Sequence, residues 1–188
     1  MRVTALTTFL ALALSGCAAA GAERPPSERP SAGASASPGA TAGAAADGPS
    51  PAATMVCGDE TRTNIVKALS LPSEPHTTDS WADRLYTCTY TLPSGHLVLS
   101  VKETSDPETA RTLFDGLQQQ APGAAPIEGL ANLGFPAFQT PTSAVFTKDN
   151  FVLTVDAAAL SSTLGPHAVS RDAFAYQVAT AVLACWSE

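Results

Sequence analysis

Charge is scarce in this 188-residue chain, and basic charge is scarcest. Only 14 % of the residues are charged, with 10 Lys and Arg against 17 Asp and Glu. A net charge of −7 repels phosphate backbones and anionic head groups, which argues against nucleic acid and against a polybasic membrane contact. Histidine is almost absent. His76, His96 and His167 form no i,i+4 pair, so their spacing holds no metal-site motif. There is no C-x-x-C and no G-x-S-x-G; the G-x-x-x-x-G at 129–134 lacks the Lys-Ser/Thr of a phosphate loop. Redox, serine-hydrolase and nucleotide motifs are therefore missing, and neither cofactor nor metal is expected.

What is present is strongly partitioned. Met1-Arg2 supplies a positive start, residues 6–14 (LTTFLALAL) are apolar, and Ser15, Gly16, Cys17 and Ala18 are small. That order is a secretory signal. The uncharged run 3–22 is 20 residues long, enough to span a bilayer, but its Thr, Ser and Gly make a poor membrane helix. Leu14-Ser15-Gly16-Cys17 resembles the lipobox of bacterial lipoproteins. The resemblance implies that residues 1–16 are removed, that the Cys17 thiol carries diacylglycerol, and that the new amino terminus is acylated, palmitate being a suitable group. Two or three chains anchor stably where one does not.

Residues 17–56 then read as a tether. Of the 39 residues at 18–56, 30 are Ala, Gly, Pro or Ser, and none before Met55 is Leu, Ile, Val, Phe, Tyr or Trp. Such a segment buries too little apolar surface to offset its ordering entropy. Its reach as a coil is roughly 35 Å.

Residues 57–188 carry the whole net charge and are enough for one domain. Asp59–Leu69 predicts a helix, with acids in its first turn and Ile65, Val66, Ala68 and Leu69 apolar. The stretch to Trp81 reads as a loop. Tyr86, Cys88, Tyr90 and Leu92 alternate with threonines, which predicts a strand with one buried face. A turn at Pro93-Ser94-Gly95-His96 leads to a second strand with Leu97, Leu99 and Val101. Asp106 and Pro107 start a helix (Ser105 with Glu108 being a rival capping box) whose stripe is Ala110, Leu113, Phe114 and Leu117. The plan then repeats. Strands at 144–147 and 151–155 flank Asp149-Asn150, Phe151-Val152-Leu153-Thr154-Val155 echoes Leu97-Val98-Leu99-Ser100-Val101, and Ser170 caps a helix to about Trp186. The expected fold is α+β: a helix, then two β-hairpin–helix units whose strands merge into one antiparallel sheet with helices packed on it, a two-layer sandwich.

With Cys17 acylated, Cys57, Cys88 and Cys185 remain. Three thiols outside the cytoplasm predict one disulfide, Cys57–Cys88 with Cys57–Cys185 as the alternative, and a third Cys that stays buried or bridges to another molecule. The chain also resembles small actinobacterial extracytoplasmic lipoproteins. The shared features are the lipobox, the tether, a Cys before the first helix (Cys57), a Cys in the first strand (Cys88), and a Leu-Gly-x-x-Ala-aromatic step before the second hairpin. That step is Leu133-Gly134-Phe135-Pro136-Ala137-Phe138 here, with Pro136 where a small residue is usual. Relatives of similar architecture, with PsbP-like α/β sandwiches, imply a sensor or binding domain of the cell envelope.

Three functions follow as expectations. The first is a non-catalytic binding or sensor domain on the outer face of the cell membrane, held to the bilayer through acylated Cys17. Its partner would be an envelope protein or a small ligand, and Trp81 is the candidate contact. The second is an envelope hydrolase or metal-dependent enzyme built from loop residues such as His96, His167 and Asp172. The third is a structural lipoprotein that holds envelope complexes together.

Overall fold

A computed structural model describes residues 48–128 and 135–186. The signal, Cys17, the tether up to residue 47 and Leu133-Gly134 lie outside the described residues. None of the helices described is long and apolar enough to cross a membrane.

The described chain starts with a strap, a short helix α1 (Pro51–Thr54) running into a 3-10 turn (Met55–Cys57). Ser50 caps α1 by accepting from the Ala53 N–H, and Pro51 fills the first turn, where no N–H is needed. Ala53 and Val56 are fully buried. The folded domain therefore begins before Cys57, and the last residues assigned to the tether belong to it. Helix α2 (Asp59–Leu69) follows with the expected bounds and ends at Ser70, which adopts a left-handed conformation.

Strands β1 (His76–Ala82), β2 (Leu85–Leu92) and β3 (Gly95–Glu103) form an antiparallel meander. β1 replaces the loop expected there. It is an edge strand whose residues are all exposed or half-buried, so no alternation of polar and apolar residues marks it. Its two-residue turn, Asp83-Arg84, has both φ positive (51° and 58°), a primed turn made without glycine. The second half contributes β4 (Ala125–Pro126), β5 (Ala137–Gln139), β6 (Ser143–Lys148) and β7 (Phe151–Asp156). Asp149, with φ 52°, turns the β6–β7 hairpin.

All seven strands join in the order β1-β2-β3-β7-β6-β5-β4, so the fold is α+β with one large antiparallel sheet, as expected. The two echoing segments meet at its centre. Leu99 pairs with Val155, Ser100 with Thr154 and Val101 with Leu153. Ser100 and Thr154 are also equivalent positions in the echo, so a local two-fold axis passes between them.

The helices break that symmetry. α2 and α4 (Arg171–Cys185) cover one face, where Tyr86, Cys88, Tyr90, Leu97, Leu99, Val101, Phe146, Leu153 and Val155 form the main core with Ile65, Phe174, Val178 and Val182. α3 (Pro107–Gln120) lies on the other face, packing Ala110 and Phe114 on Phe138, Val145 and Val152. The sheet therefore has a third layer over β5–β7 where a two-layer arrangement was expected. The connections differ accordingly: α3 starts four residues after β3, whereas 157–170, with the small hairpin β8 (Thr163–Leu164) and β9 (Val169–Ser170), separates β7 from α4. Asp106, not Ser105, caps α3; its carboxylate accepts from the Thr109 N–H at 2.8 Å. Ser170 occupies the cap position of α4 but its side chain makes no cap bond to the helix.

Candidate functional site

The strap is held by five side chains, three of them distant in sequence, and by a disulfide. The Tyr90 hydroxyl, buried in the core, donates to the Val56 carbonyl at 2.6 Å. Burial also pushes the Tyr90 phenol well above its ordinary pKa, so it remains a donor at any physiological pH. The Ser50 N–H donates to the Glu103 carboxylate at 2.8 Å, and the Trp186 indole N–H to the Ala52 carbonyl at 3.0 Å. Thr61 and Arg62 of α2 bond the carbonyls of Met55 and Cys57. The covalent fastening is the disulfide Cys57–Cys88, with Cα atoms 5.5 Å apart. Of the two pairings allowed by sequence this is the first. Cys185, the last residue of α4, takes no part in the bridge, and its thiol donates to the Ala181 carbonyl at 3.3 Å.

This clamp borders an apolar cavity of about 290 Å³. Pro51, Ala52 and Met55 of the strap form one side. Phe151 of β7 and Cys185 and Trp186 form another, and the Phe151 and Trp186 rings lie 5.6 Å apart at 42°. The polar side chains in its wall, Lys148 and Asp149, pair with each other at 2.9 Å. Pro51 and Asp149 are exposed, so the cavity reaches the surface.

A second concavity, a polar cleft of about 500 Å³, lies at the start of α4, with Gln139, Thr140, Ser162, Arg171 and Asp172 in its wall. The Ser170 hydroxyl, by hydrogen bonding, holds the Asp172 carboxylate below its ordinary pKa. Arg171 spends one nitrogen on the carbonyls of Ala158 and Leu160, and Gln139 donates to the Asp172 carbonyl. These contacts tie the connection between β7 and β8, and β5, to the helix start.

The residues named for an enzyme are not brought together in this cleft. Asp172 lines it, but neither His96 nor His167 does. The strand registers place His76, Thr91 and His96 in one row on the sheet face turned away from α2 and α4. Two strand spacings, about 9.6 Å, separate the two histidine backbones. His167 is on the turn between β8 and β9. Among the described residues no group of three His, Cys, Asp or Glu is placed to hold a metal ion.

Trp81 stands on β1 opposite Tyr86, half-buried against the main core. Beside it the Tyr86 phenol is raised, first by burial and then by the Asp79 carboxylate. The aromatic that sequence reasoning passed over is Trp186, which marked only the approximate end of the last helix. Its one distinguishing signal is that a large side chain bearing a polar N–H follows immediately after Cys185, where the helix stops.

No family model, no curated protein and no solved structure matches this chain.

Proposed function

We propose that the chain is a lipoprotein of the cell envelope. Acylated Cys17 would hold it to the outer face of the membrane, and its domain would act as a non-catalytic binding or sensing module. The tether then spaces the domain from the bilayer by roughly 30 Å, and the cavity beside the strap is the site at which a ligand is taken.

The observation that carries this reading is the order of features along the chain. A lipobox-like Leu14-Ser15-Gly16-Cys17 precedes an Ala/Gly/Pro/Ser tether, and the tether runs into a strap fastened by a disulfide. A disulfide supports an oxidising compartment. Fastening the first folded residues by five side chains and a covalent bond suits a domain held by its amino-terminal end. The apolar cavity with a few fixed polar groups supports binding over catalysis, which requires titratable groups that converge.

The test is growth with a radioactive fatty acid followed by membrane fractionation. Label and protein are expected together in the membrane fraction. Both should be lost from it in Cys17→Ala. Label that persists in the variant refutes the anchor.

A further inference from the structure

We infer that the cavity beside the strap takes the unbranched hydrocarbon tail of a single-chain amphiphile, with the polar end left at Lys148 and Asp149. The inference rests on the binding reading above and names its ligand class.

The wall favours hydrocarbon because it is mainly apolar and its polar side chains are paired. Lys148 and Asp149 neutralise each other, the Ala52 carbonyl accepts from Trp186, and the Cys185 thiol donates to Ala181. A sugar, peptide or nucleotide in this space would leave its own donors and acceptors unmatched against Pro51, Met55, Phe151 and Trp186, at the cost of its hydration. A tail has nothing to leave unmatched. The volume suits it too: at about 30 Å³ per methylene, near the share of one water molecule in the liquid, 290 Å³ holds a tail of about ten carbons. Met55 is an unbranched, adaptable side chain, and the tilted Phe151–Trp186 pair offers flat faces, so the slot can close on a flexible chain. The position also fits. The cavity is bordered by the first helical turn after the tether, the part of the domain nearest along the chain to any lipid on Cys17.

The probe is 11-bromoundecanoate, whose terminal bromine quenches tryptophan on contact. The protein is the full chain carrying Cys17→Ala and Trp81→Phe, which leaves Trp186 as its one tryptophan, since the chain has two. Quenching is expected to saturate below the micelle concentration, and undecanoate should reverse it. Ala52→Phe, which fills the cavity from the strap, should raise the half-saturating concentration at least about tenfold. Quenching that rises without saturation, or that is equal in Ala52→Phe, overturns the inference.

If Ala52→Phe does not fold, thermal melting of the chain with Ala52 decides. Undecanoate at about a hundred times its Kd should raise Tm by about 10 °C, and tetraethylene glycol should not; no rise with undecanoate overturns the inference. The same titration on the chain with Cys17 intact distinguishes the source of the tail. A raised half-saturation there shows that the chain's own acyl group fills the cavity and overturns the single-chain amphiphile; an unchanged one supports it. Because the quenching and melting assays with Cys17→Ala use a chain that cannot be acylated, their failure leaves the membrane anchor standing. Loss of the anchor likewise leaves binding standing.

Discussion

Replacing Cys57 and Cys88 together by alanine should cost the domain far more than any surface change, chiefly through the unfolded state. The bridge spans 31 residues of chain, and closing a loop of that length removes unfolded-state entropy equivalent to about 3.7 kcal/mol. Cys88 is fully buried among Tyr86, Tyr90 and Leu99, so truncating its sulfur adds about 1 kcal/mol of lost burial. The sum is about 4–5 kcal/mol. For about 135 ordered residues the unfolding entropy is about 0.28 kcal/mol per degree, so Tm should fall by about 15 °C. Calorimetry of the oxidised chain and the double variant at pH 7 reads this directly, and hydrogen exchange locates it. Fast exchange should appear first at the Thr54 and Gly58 amides, which are hydrogen-bonded within the strap. A drop under about 5 °C would refute the reasoning. So would strap amides that stay as protected as those of β3, since the clamp would then hold without its covalent fastening.

Tyr90→Phe removes the donor from the buried Val56 carbonyl and should cost about 1–3 kcal/mol with the disulfide intact, read as a fall in Tm of about 4–10 °C. Gly95 has φ +130°, and a Cβ there would lie 2.1 Å from the Ala159 carbonyl oxygen. Gly95→Ala should therefore destabilise by at least about 3 kcal/mol in urea unfolding, and a change under about 1 kcal/mol contradicts that close approach. The Ser105 hydroxyl, first, and then the Thr109 N–H and hydroxyl hold the Asp106 carboxylate down at about 2. A lowered carboxylate stabilises the folded state fully above its ordinary pKa near 3.8, and that contribution disappears as pH falls through about 2. NMR titration of the Asp106 carboxyl should find its midpoint near 2, with the start of α3 fraying in step; a midpoint near 4 contradicts the cap.

Much of the fold was legible where one face of an element meets the core. α2 announced itself through its acidic first turn and apolar spacing, and β2 through threonines alternating with Tyr86, Cys88, Tyr90 and Leu92. β6 and β7 read as continuous apolar runs because α3 covers Val145 and Val152 while the main core takes Phe146 and Leu153. That same covering was illegible in advance, because no local pattern states to which face a helix turns after its strand. β1 was missed because water reaches both its faces and its turn lacks glycine. The strap was missed for a different reason: Pro51, Ala52 and Ala53 have the composition of the tether. Their order is imposed by Tyr90, Glu103 and Trp186, which stand from 34 to 134 residues away. The cavity inherits that difficulty, since its walls come from three separate parts of the chain. The disulfide was legible as one of two alternatives, and geometry alone chose between them.

The most direct test of the account is the intact mass of the protein extracted from the membranes of the cells that make it. The account predicts a chain that begins at Cys17, heavier than its sequence by a diacylglyceryl group and an acyl group, with the Cys57–Cys88 bridge closed. A chain found in the soluble fraction with an unmodified Cys17, or one that keeps residues 1–16, would contradict it.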